Sequence, residues 1–362
     1  MNPRFSLIIP TKNRSEFLCR LLRYLANQNF GHDVLIGDSS NNDHFQKVAK
    51  EVHLLKRKIK ITHEKCWNRN TIQTVEHLCQ LIDTPYSGLI CDDDFISVDG
   101  INKCIEFLDH HPEFNGARGL GFLMSLDKNG PYGNLINVCP YGPYSLDSLD
   151  SASGEQRLRD FFTKMPSIHS SVIYRTEAWK KMHAGFKLII GTRPGFIFEE
   201  LFASVISAIH NKIKSLDCLL VVRQMHEDIC RKIPFGEWIA DPEWLPACQV
   251  LREIVIRDLV AQDQLDEKTA ENIFYDVFHQ YLYQYFQTGE FKQHTGNHLT
   301  GKMKSLLKNV VRNIPGVRKL NKRRKVRALQ SALQSSSHFI YPYFDSFQPM
   351  WNVISKSHET TH

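Results

Sequence analysis

Strand-like and helix-like segments alternate through the first hundred residues, and this alternation constrains the fold more than any other feature of the sequence. Residues 5–9 form an apolar run of strand length, and leucines recur at helical spacing in the segment that follows. Residues 34–36, 59–61 and 88–91 indicate further strands, and a helix is predicted over 70–81. Repeated strand–helix–strand units predict an α/β domain with a mostly parallel sheet.

The later part of the chain continues with a strand pattern at 169–174, a helix pattern at 198–210 and a strand pattern at 219–222. Beyond about residue 234 the pattern is helical, with an aromatic-rich helix predicted over 267–286. We therefore divide the chain into three predicted parts. They are a catalytic domain of residues 1–233, a helical extension of residues 234–300 and a basic amphipathic segment of residues 301–362.

Composition is that of an ordinary globular protein, with 362 residues, 42% of them hydrophobic and 23% charged. The start of the chain has no pattern of a signal peptide, and no apolar run approaches the roughly 20 residues that a membrane span needs. The nine cysteines are scattered without any C-x-x-C pair, so neither a disulfide framework nor a zinc site is indicated. We expect a cytoplasmic protein.

The net charge of +6 originates in one segment, because residues 302–327 hold 11 Lys and Arg and no acidic residue. Apolar residues recur there at helical spacing, while several of the charges fall off that stripe. An amphipathic basic helix of this kind is typical of peripheral docking on an anionic membrane surface. The alternative is that the stripe packs on the catalytic domain and the charges are solvated.

Three consecutive aspartates, Asp92, Asp93 and Asp94, follow the strand pattern at 88–91. Adjacent carboxylates repel one another, and a divalent cation such as Mn²⁺ or Mg²⁺ relieves that repulsion. Such a cation completes its shell with substrate phosphates, so a diphosphate ligand is expected. The carboxyl ends of parallel strands share one edge, which places these aspartates near the turn at 10–14. The alternative is a solvated turn in which an aspartate caps a helix.

The opening strand and turn, residues 5–14, resemble the first strand and donor-binding turn of the family 2 glycosyltransferases. The first helix and the strand at 34–36 are similar to that family too, and the resemblance extends to about residue 225. It implies a GT-A fold, which is Rossmann-like with a mostly parallel sheet flanked by helices, here with a C-terminal helical extension. It also implies donor contacts from four residues of the turn, namely Pro10, Thr11, Asn13 and Arg14.

The same resemblance implies roles for the acidic residues. Asp38 corresponds to the family residue that contacts the nucleotide base, although Gly37 stands where the family has another acid. The aspartate triplet corresponds to the D-x-D element, with Asp92 and Asp93 towards the donor and Asp94, with Asp92, towards the metal. Because three aspartates are consecutive, their alignment with the D-x-D element can also be shifted by one position.

His226 follows the strand pattern at 219–222 and resembles a later family histidine that binds metal or diphosphate, although most lone histidines are not ligands. Arg69 stands at a predicted helix start, where a guanidinium and the helix N-terminus both favour an anion such as the donor phosphate. It is equally well read as a surface arginine.

The general base is expected at a helix start in the acceptor cleft. Residues 195–201 resemble the family's E-D-x-x-L segment, which implies that Glu200 is the base, with Glu199 as the alternate. Two acids in a first helical turn are also explained by the helix dipole alone.

These features predict a metal-dependent, inverting glycosyltransferase that uses a nucleotide-sugar donor, with a UDP-sugar as the first expectation and a glycan or lipid-linked acceptor. A nucleotidyltransferase of related fold remains open, although residues 10–14 contain no glycine for a phosphate loop. A non-catalytic protein that binds nucleic acid through its basic segment also remains open, but no nucleic-acid partner is expected.

Overall fold

The computed structural model describes residues 3–164, 168–184, 195–227, 239–288, 329, 331–333 and 335–355. Nine strands form one sheet. They are β1 (Phe5–Thr11), β2 (Asp33–Asp38), β3 (Lys60–Lys65), β4 (Tyr86–Leu89), β5 (Phe95–Ile96), β6 (Gly116–Leu126), β7 (Leu135–Pro140), β8 (Ile173–Arg175) and β9 (Ile213–Met225). The α-helices of the described residues are α1 (Ser15–Asn27), α2 (Asn42–Leu55), α3 (Thr71–Cys79), α4 (Val98–His110), α5 (Gly154–Lys164), α6 (Thr176–Ala184), α7 (Gly195–His210), α8 (Trp244–Asp263), α9 (Glu267–Thr288) and α10 (Phe344–Ser355).

The sheet has the strand order β3-β2-β1-β4-β8-β6-β9-β5, with β7 paired to β6. Strands β1 to β4 are parallel, and each is joined to the next by a helix, which is the crossover that parallel neighbours need. Strands β6 and β9 are also parallel, whereas β8, β5 and β7 pair antiparallel with their neighbours. The predicted α/β fold is confirmed, with the parallel part concentrated in the N-terminal half.

Local sequence explains the first units of this sheet. Strand β1 is apolar along most of its length and is almost entirely buried, as expected of a strand covered by helices on both faces. Helix α1 directs its regularly spaced leucines into the core. Helix α3 begins at the capping residue Asn70, whose side chain accepts from the backbone of Gln73 while Gln73 bonds back to Asn70.

Two apolar clusters lie against the sheet. One contains residues of α1, α4 and α10, and the other contains residues of α3 and of helices α5 to α9. In α10 the side chains of Phe347, Met350 and Ile354 are fully buried, and the Ile354 carbonyl accepts from the backbone of Gly133 at 3.0 Å. The end of the described chain therefore packs on the same core as the first helix.

The three predicted parts of the chain stay a prediction, and the basic segment 302–327 lies outside the described residues. Among the helices that the structure describes, none combines the length and the apolar composition that crossing a membrane requires.

Candidate active site

The turn formed by Asp92, Asp93 and Asp94 connects β4 to β5, and all three carboxylates are buried. Strand β5 pairs antiparallel with β9, which brings the end of β9 against the turn. Asp94 is held by that end, because its Oδ2 accepts from Arg223 Nε at 3.0 Å and its Oδ1 from the backbone of Gln224 at 3.2 Å. The two oxygens of Asp94 thus face two different donors.

Asp93 has a different environment. Its Oδ2 accepts from Arg14 Nη1 at 2.7 Å and lies 2.9 Å from His226 Nε2, so both contacts end on one oxygen. The His226 side chain is buried and stacks on the ring of Phe17, with a centroid distance of 4.6 Å. The chain therefore brings His226 to the aspartate turn, although 133 residues separate it from Asp93, and its role as a ligand stays a prediction.

Asp92 faces the end of β1. Its Oδ2 accepts from Thr11 Oγ1 at 2.6 Å, and Arg14 Nη1 lies 3.3 Å from its Oδ1. Burial, together with the neighbouring charge of Asp93, raises the pKa of Asp92 to about 6. Thr11, Arg14 and Asp92 are three of the predicted donor-binding residues, and the structure brings them into direct contact.

The pKa values of the other two aspartates shift in opposite directions because their partners differ. Burial raises the pKa of Asp94 to about 7, since desolvation exceeds the attraction of Arg223. Burial also acts to raise the pKa of Asp93, but the hydrogen bond from His226 and the charge of Arg14 lower it below its ordinary value. Asp93 is therefore the carboxylate of the turn that is most firmly held in its ionised form.

A third arginine lies beneath the turn. The fully buried Arg20 of α1 donates to the backbone carbonyl of Asp93 at 2.5 Å and to that of Pro131 at 3.0 Å, and it also contacts the side chain of Gln224. Its guanidinium lies 4.3 Å from the centroid of the Phe95 ring. Arg20 thus joins α1, the aspartate turn and β9 from below.

The donor set of the turn fits a divalent cation. The ligand atoms of Cys91, Asp93 and Asp94 lie within 4.8 Å of one another, and His226 adds an imidazole nitrogen beside Asp93. Carboxylate oxygen and imidazole nitrogen are ligands that Mn²⁺ accepts. Burial raises the pKa of the Cys91 thiol well above its ordinary value, so the carboxylates and the imidazole are the ligands of this set that suit Mn²⁺ best.

A polar cavity of about 550 Å³ lies at the carboxyl ends of β1, β2 and β3, and two of its lining residues, Lys12 and Asn13, stand between Thr11 and Arg14, which contact the turn. It is lined by Lys12, Asn13, Ser39, Ser40, Asn41, Trp67, Asn68, Arg69 and Asn70. Asn13 and Asn68 have φ values of 57° and 59°, in the left-handed region that asparagine tolerates better than most residues. Two of the residues that line the cavity, Asn13 and Arg69, are predicted donor-binding residues.

Asp38 ends β2 next to this cavity but is not among the residues that line it. Its side chain is fully buried, with one oxygen accepting from the backbone of Ser40 at 2.9 Å and the other 3.0 Å from His63 Nε2. A Cβ at the preceding Gly37 would lie 2.3 Å from Thr74 Cγ2 of α3. The close approach of α3 thus explains why glycine replaces an acid here.

The remaining predicted residues are placed less directly. Pro10 lies near the end of β1 and is partly buried. Arg69 Nη1 approaches the sulfur of Cys66 at 4.0 Å. Glu199 and Glu200 fall within the residues assigned to α7, but their side chains lie outside the described part of the chain. Their role as general base stays a prediction.

Three residues of this region escaped the sequence reasoning, namely Arg20, Arg223 and Trp67. Arg20 stands between apolar residues of α1 and Arg223 follows an apolar run of β9, and an arginine in such a place suggests a buried partner. Trp67 is an aromatic residue in a polar loop two residues after the end of β3, which is a signal of a ligand contact at that edge of the sheet.

Residues 6–175 match the model of the family described as Glycosyl transferase family 2. A search of curated proteins by sequence finds no match. Among solved structures, the S. aureus protein TarS, as its fragment 1–349, is similar with 15% identity and a TM-score of 0.52, over 97% of this chain and 89% of that chain.

The same fragment in complex with UDP-GlcNAc is similar with 14% identity and a TM-score of 0.53, over 97% of this chain and 89% of that chain. A longer TarS structure has 15% identity and a TM-score of 0.51, over 80% of this chain and 44% of that chain. At these identities the likeness shows a shared fold, which confirms the GT-A prediction.

Proposed function

We propose that this chain is a glycosyltransferase that moves a sugar from a nucleoside-diphosphate sugar to a glycan or lipid-linked acceptor, because residues 6–175 match the model of glycosyl transferase family 2. The observation that carries this proposal is the buried cluster of Asp92, Asp93, Arg14 and His226 beside a polar cavity. TarS 1–349 in complex with UDP-GlcNAc makes a UDP-sugar the first donor to test.

The contacts favour one assignment within the aspartate turn. Asp94 has both oxygens occupied by N–H donors of β9, so its role is to hold the turn against that strand. Asp93 and His226 are adjacent and are the pair that would hold a Mn²⁺ or Mg²⁺ ion with the donor diphosphate. When bound, such an ion neutralises charge that develops on the departing diphosphate. In this assignment the metal role moves from Asp94 to Asp93, while Asp92 keeps its role towards the donor.

The remaining groups of the site would bind and orient the nucleotide-sugar donor. Arg14 carries a permanent positive charge between Asp92 and Asp93, within reach of an anionic donor that enters from the cavity side. Thr11 fixes the carboxylate of Asp92 through a short hydrogen bond, which leaves Asp92 placed to accept from a donor hydroxyl such as that of the ribose. These residues supply electrostatic stabilisation that is arranged before the donor binds.

Transfer with inversion needs a base that takes the proton of the acceptor hydroxyl on the side opposite the leaving nucleotide. We assign this role to Glu200, with Glu199 as the alternate, because the segment 195–201 resembles the family's base-containing segment. Both residues belong to the first turns of α7.

A thermal-shift screen of nucleotide sugars with and without Mn²⁺ tests the proposal, since a ligand that binds the native state raises the melting temperature. We expect at least one nucleotide sugar to stabilise the wild type in the presence of Mn²⁺, and much less stabilisation of Asp93→Asn. Leu54→Ala, at an exposed position of α2 outside the cavity, is the matched control. If no nucleotide sugar raises the melting temperature of the wild type, the donor proposal fails.

The basic segment 302–327 bears on where the enzyme acts. Its sequence combines 11 Lys and Arg with apolar residues at helical spacing, and each charge near an anionic leaflet contributes about 1 kcal/mol to binding. We propose that this segment holds the enzyme at an anionic membrane surface, where a lipid-linked acceptor is presented.

A further inference from the structure

Trp67 is an exposed indole in a cavity that is otherwise polar. It lies two residues beyond the end of β3, lines the cavity and leaves 50% of its surface accessible. The other residues that line the cavity are lysine, arginine, asparagine and serine. Burying this ring against a ligand would remove a large apolar surface from water, so an aromatic or apolar part of the ligand is expected beside it.

The ring is held in place from one side. Lys65 Nζ lies 3.4 Å from the centroid of the Trp67 ring and 5.5 Å from the centroid of the Phe45 ring. A cation over the face of an indole is attracted to it and restricts its orientation. Because Lys65 covers one face while the ring still lines the cavity, the opposite face is the one offered to a ligand.

Several polar side chains of the cavity already accept hydrogen bonds from the backbone of the protein. Ser40 accepts from the backbone of Asn13, Asn41 accepts from the backbone of His44, and Asn70 accepts from the backbone of Gln73. Asp38 corresponds to the family residue that contacts the nucleotide base, but its side chain is fully buried and bonded to Ser40 and His63. In this cavity the exposed ring of Trp67 is therefore more accessible to a flat ligand than the buried carboxylate of Asp38.

We propose that Trp67 is the platform on which the nucleobase of the donor stacks, with Lys65 fixing the ring from behind. This inference rests on the proposed function, because it presumes a nucleotide donor, and it adds the residue that determines how the base is held. Stacking is available to every base, since each has an aromatic face. The cavity should therefore accept more than one nucleotide, with the stacked ring supplying affinity to each.

Isothermal titration of UDP, GDP and inorganic pyrophosphate, each with Mn²⁺, tests this inference on the full chain. Trp67→Ala removes the platform, and Trp67→Phe keeps an aromatic ring. Tyr341→Ala is the matched control, because Tyr341 is an aromatic residue of similar exposure (52%) that does not line the cavity. Circular dichroism and the melting temperature check that each variant is folded.

We expect Trp67→Ala to raise the Kd of UDP and of GDP by about 5- to 100-fold, the range found when a stacking aromatic is replaced by alanine. Trp67→Phe should restore most of that affinity, and pyrophosphate, which has no base, should bind the wild type and Trp67→Ala alike. The total tryptophan fluorescence of the protein should fall when UDP binds the wild type, and the fall should be smaller in Trp67→Phe, which lacks the indole at this position.

Two results would overturn the inference in distinguishable ways. Wild-type binding of UDP or GDP with an unchanged Kd in Trp67→Ala would refute the stacking role and leave the proposed function intact. Loss of pyrophosphate binding in Trp67→Ala, to the same extent as loss of UDP binding, would show that the ring acts on the diphosphate site and not on the base. A wild type that binds neither nucleotide would overturn both proposals.

Discussion

Asp93 and Asp94 are neighbours with different hydrogen-bond geometry, and replacing each by asparagine should therefore have different consequences for stability. Both contacts of Asp93 end on the same oxygen, Oδ2, so an amide oxygen in Asp93→Asn can still accept from Arg14 and His226. At Asp94 the two oxygens face separate donors, Arg223 Nε and the backbone N–H of Gln224. An amide there must turn its NH₂ group towards one of those N–H donors.

The cost of Asp94→Asn follows from that mismatch. A buried donor without an acceptor costs about 1–3 kcal/mol, and the amide NH₂ group loses its partner as well, so we expect a loss of about 2 kcal/mol in the free energy of unfolding. Losing the ion pair with Arg223 lowers the free energy of unfolding by less than its 3.0 Å distance suggests. The reason is that burial destabilises the ionised form of Asp94 and raises its pKa to about 7. Asp93→Asn keeps the hydrogen bonds and loses the attraction of the ionised carboxylate to Arg14, so we expect a smaller loss, of about 1 kcal/mol.

Urea unfolding of both variants and the wild type, followed by circular dichroism at pH 8, measures these differences. Equal destabilisation of the two variants, or a larger loss in Asp93→Asn, would refute the reasoning from the separate oxygens. Donor affinity gives the complementary readout, since Asp94→Asn should keep most of its affinity for UDP with Mn²⁺ while Asp93→Asn loses it. Affinity lost only in Asp94→Asn would return the metal to Asp94.

Further predictions concern the base, the helical extension and the basic segment. Glu200→Gln should leave nucleotide affinity nearly intact and slow transfer by about 10² to 10⁴; a loss confined to Glu199→Gln would move the base by one residue. Asp258 accepts from His210 and Arg257, and although burial opposes it, these contacts lower the Asp258 pKa below its ordinary value of 3.8. The ionised side chain therefore stabilises α8 above about pH 4, and Asp258→Asn should lower the free energy of unfolding by about 1 kcal/mol at pH 7. That difference should shrink as the pH falls below about 4, and a constant difference would contradict the assignment. Replacing the 11 Lys and Arg of residues 302–327 by Gln, which leaves α10 in place, should abolish co-sedimentation with anionic liposomes, most clearly at low salt; equal sedimentation of the variant and the wild type would remove the membrane proposal.

The sequence predicted those parts of the fold that depend on local pattern. The apolar run of β1, the leucine spacing of α1 and the cap Asn70 are each readable within a few residues, and the structure contains all three elements. Strand β6 was not predicted, because its 11 residues include glycines at positions where other parts of the chain approach closely. A Cβ at Gly119, for example, would lie 2.4 Å from the carbonyl oxygen of Cys218.

The candidate site was predictable in its residue types and not in its pairings. His226 was singled out by a resemblance, but its contact with Asp93 depends on the antiparallel pairing of β5 with β9, which no local pattern encodes. The same pairing places Arg223 against Asp94, so two adjacent aspartates have different partners. Their separate roles stay a prediction, because the sequence of the triplet encodes neither set of contacts.

The most direct test of the central claim is the release of nucleoside diphosphate from a panel of nucleotide sugars, measured for the wild type and for Asp93→Asn with Mn²⁺ or EDTA. The account predicts that the wild type releases UDP, or another nucleoside diphosphate, from at least one donor. It also predicts that Asp93→Asn lowers the rate at least about a hundredfold while remaining folded. Equal release by the folded Asp93→Asn variant and the wild type would contradict the assignment of the aspartate turn as the donor site.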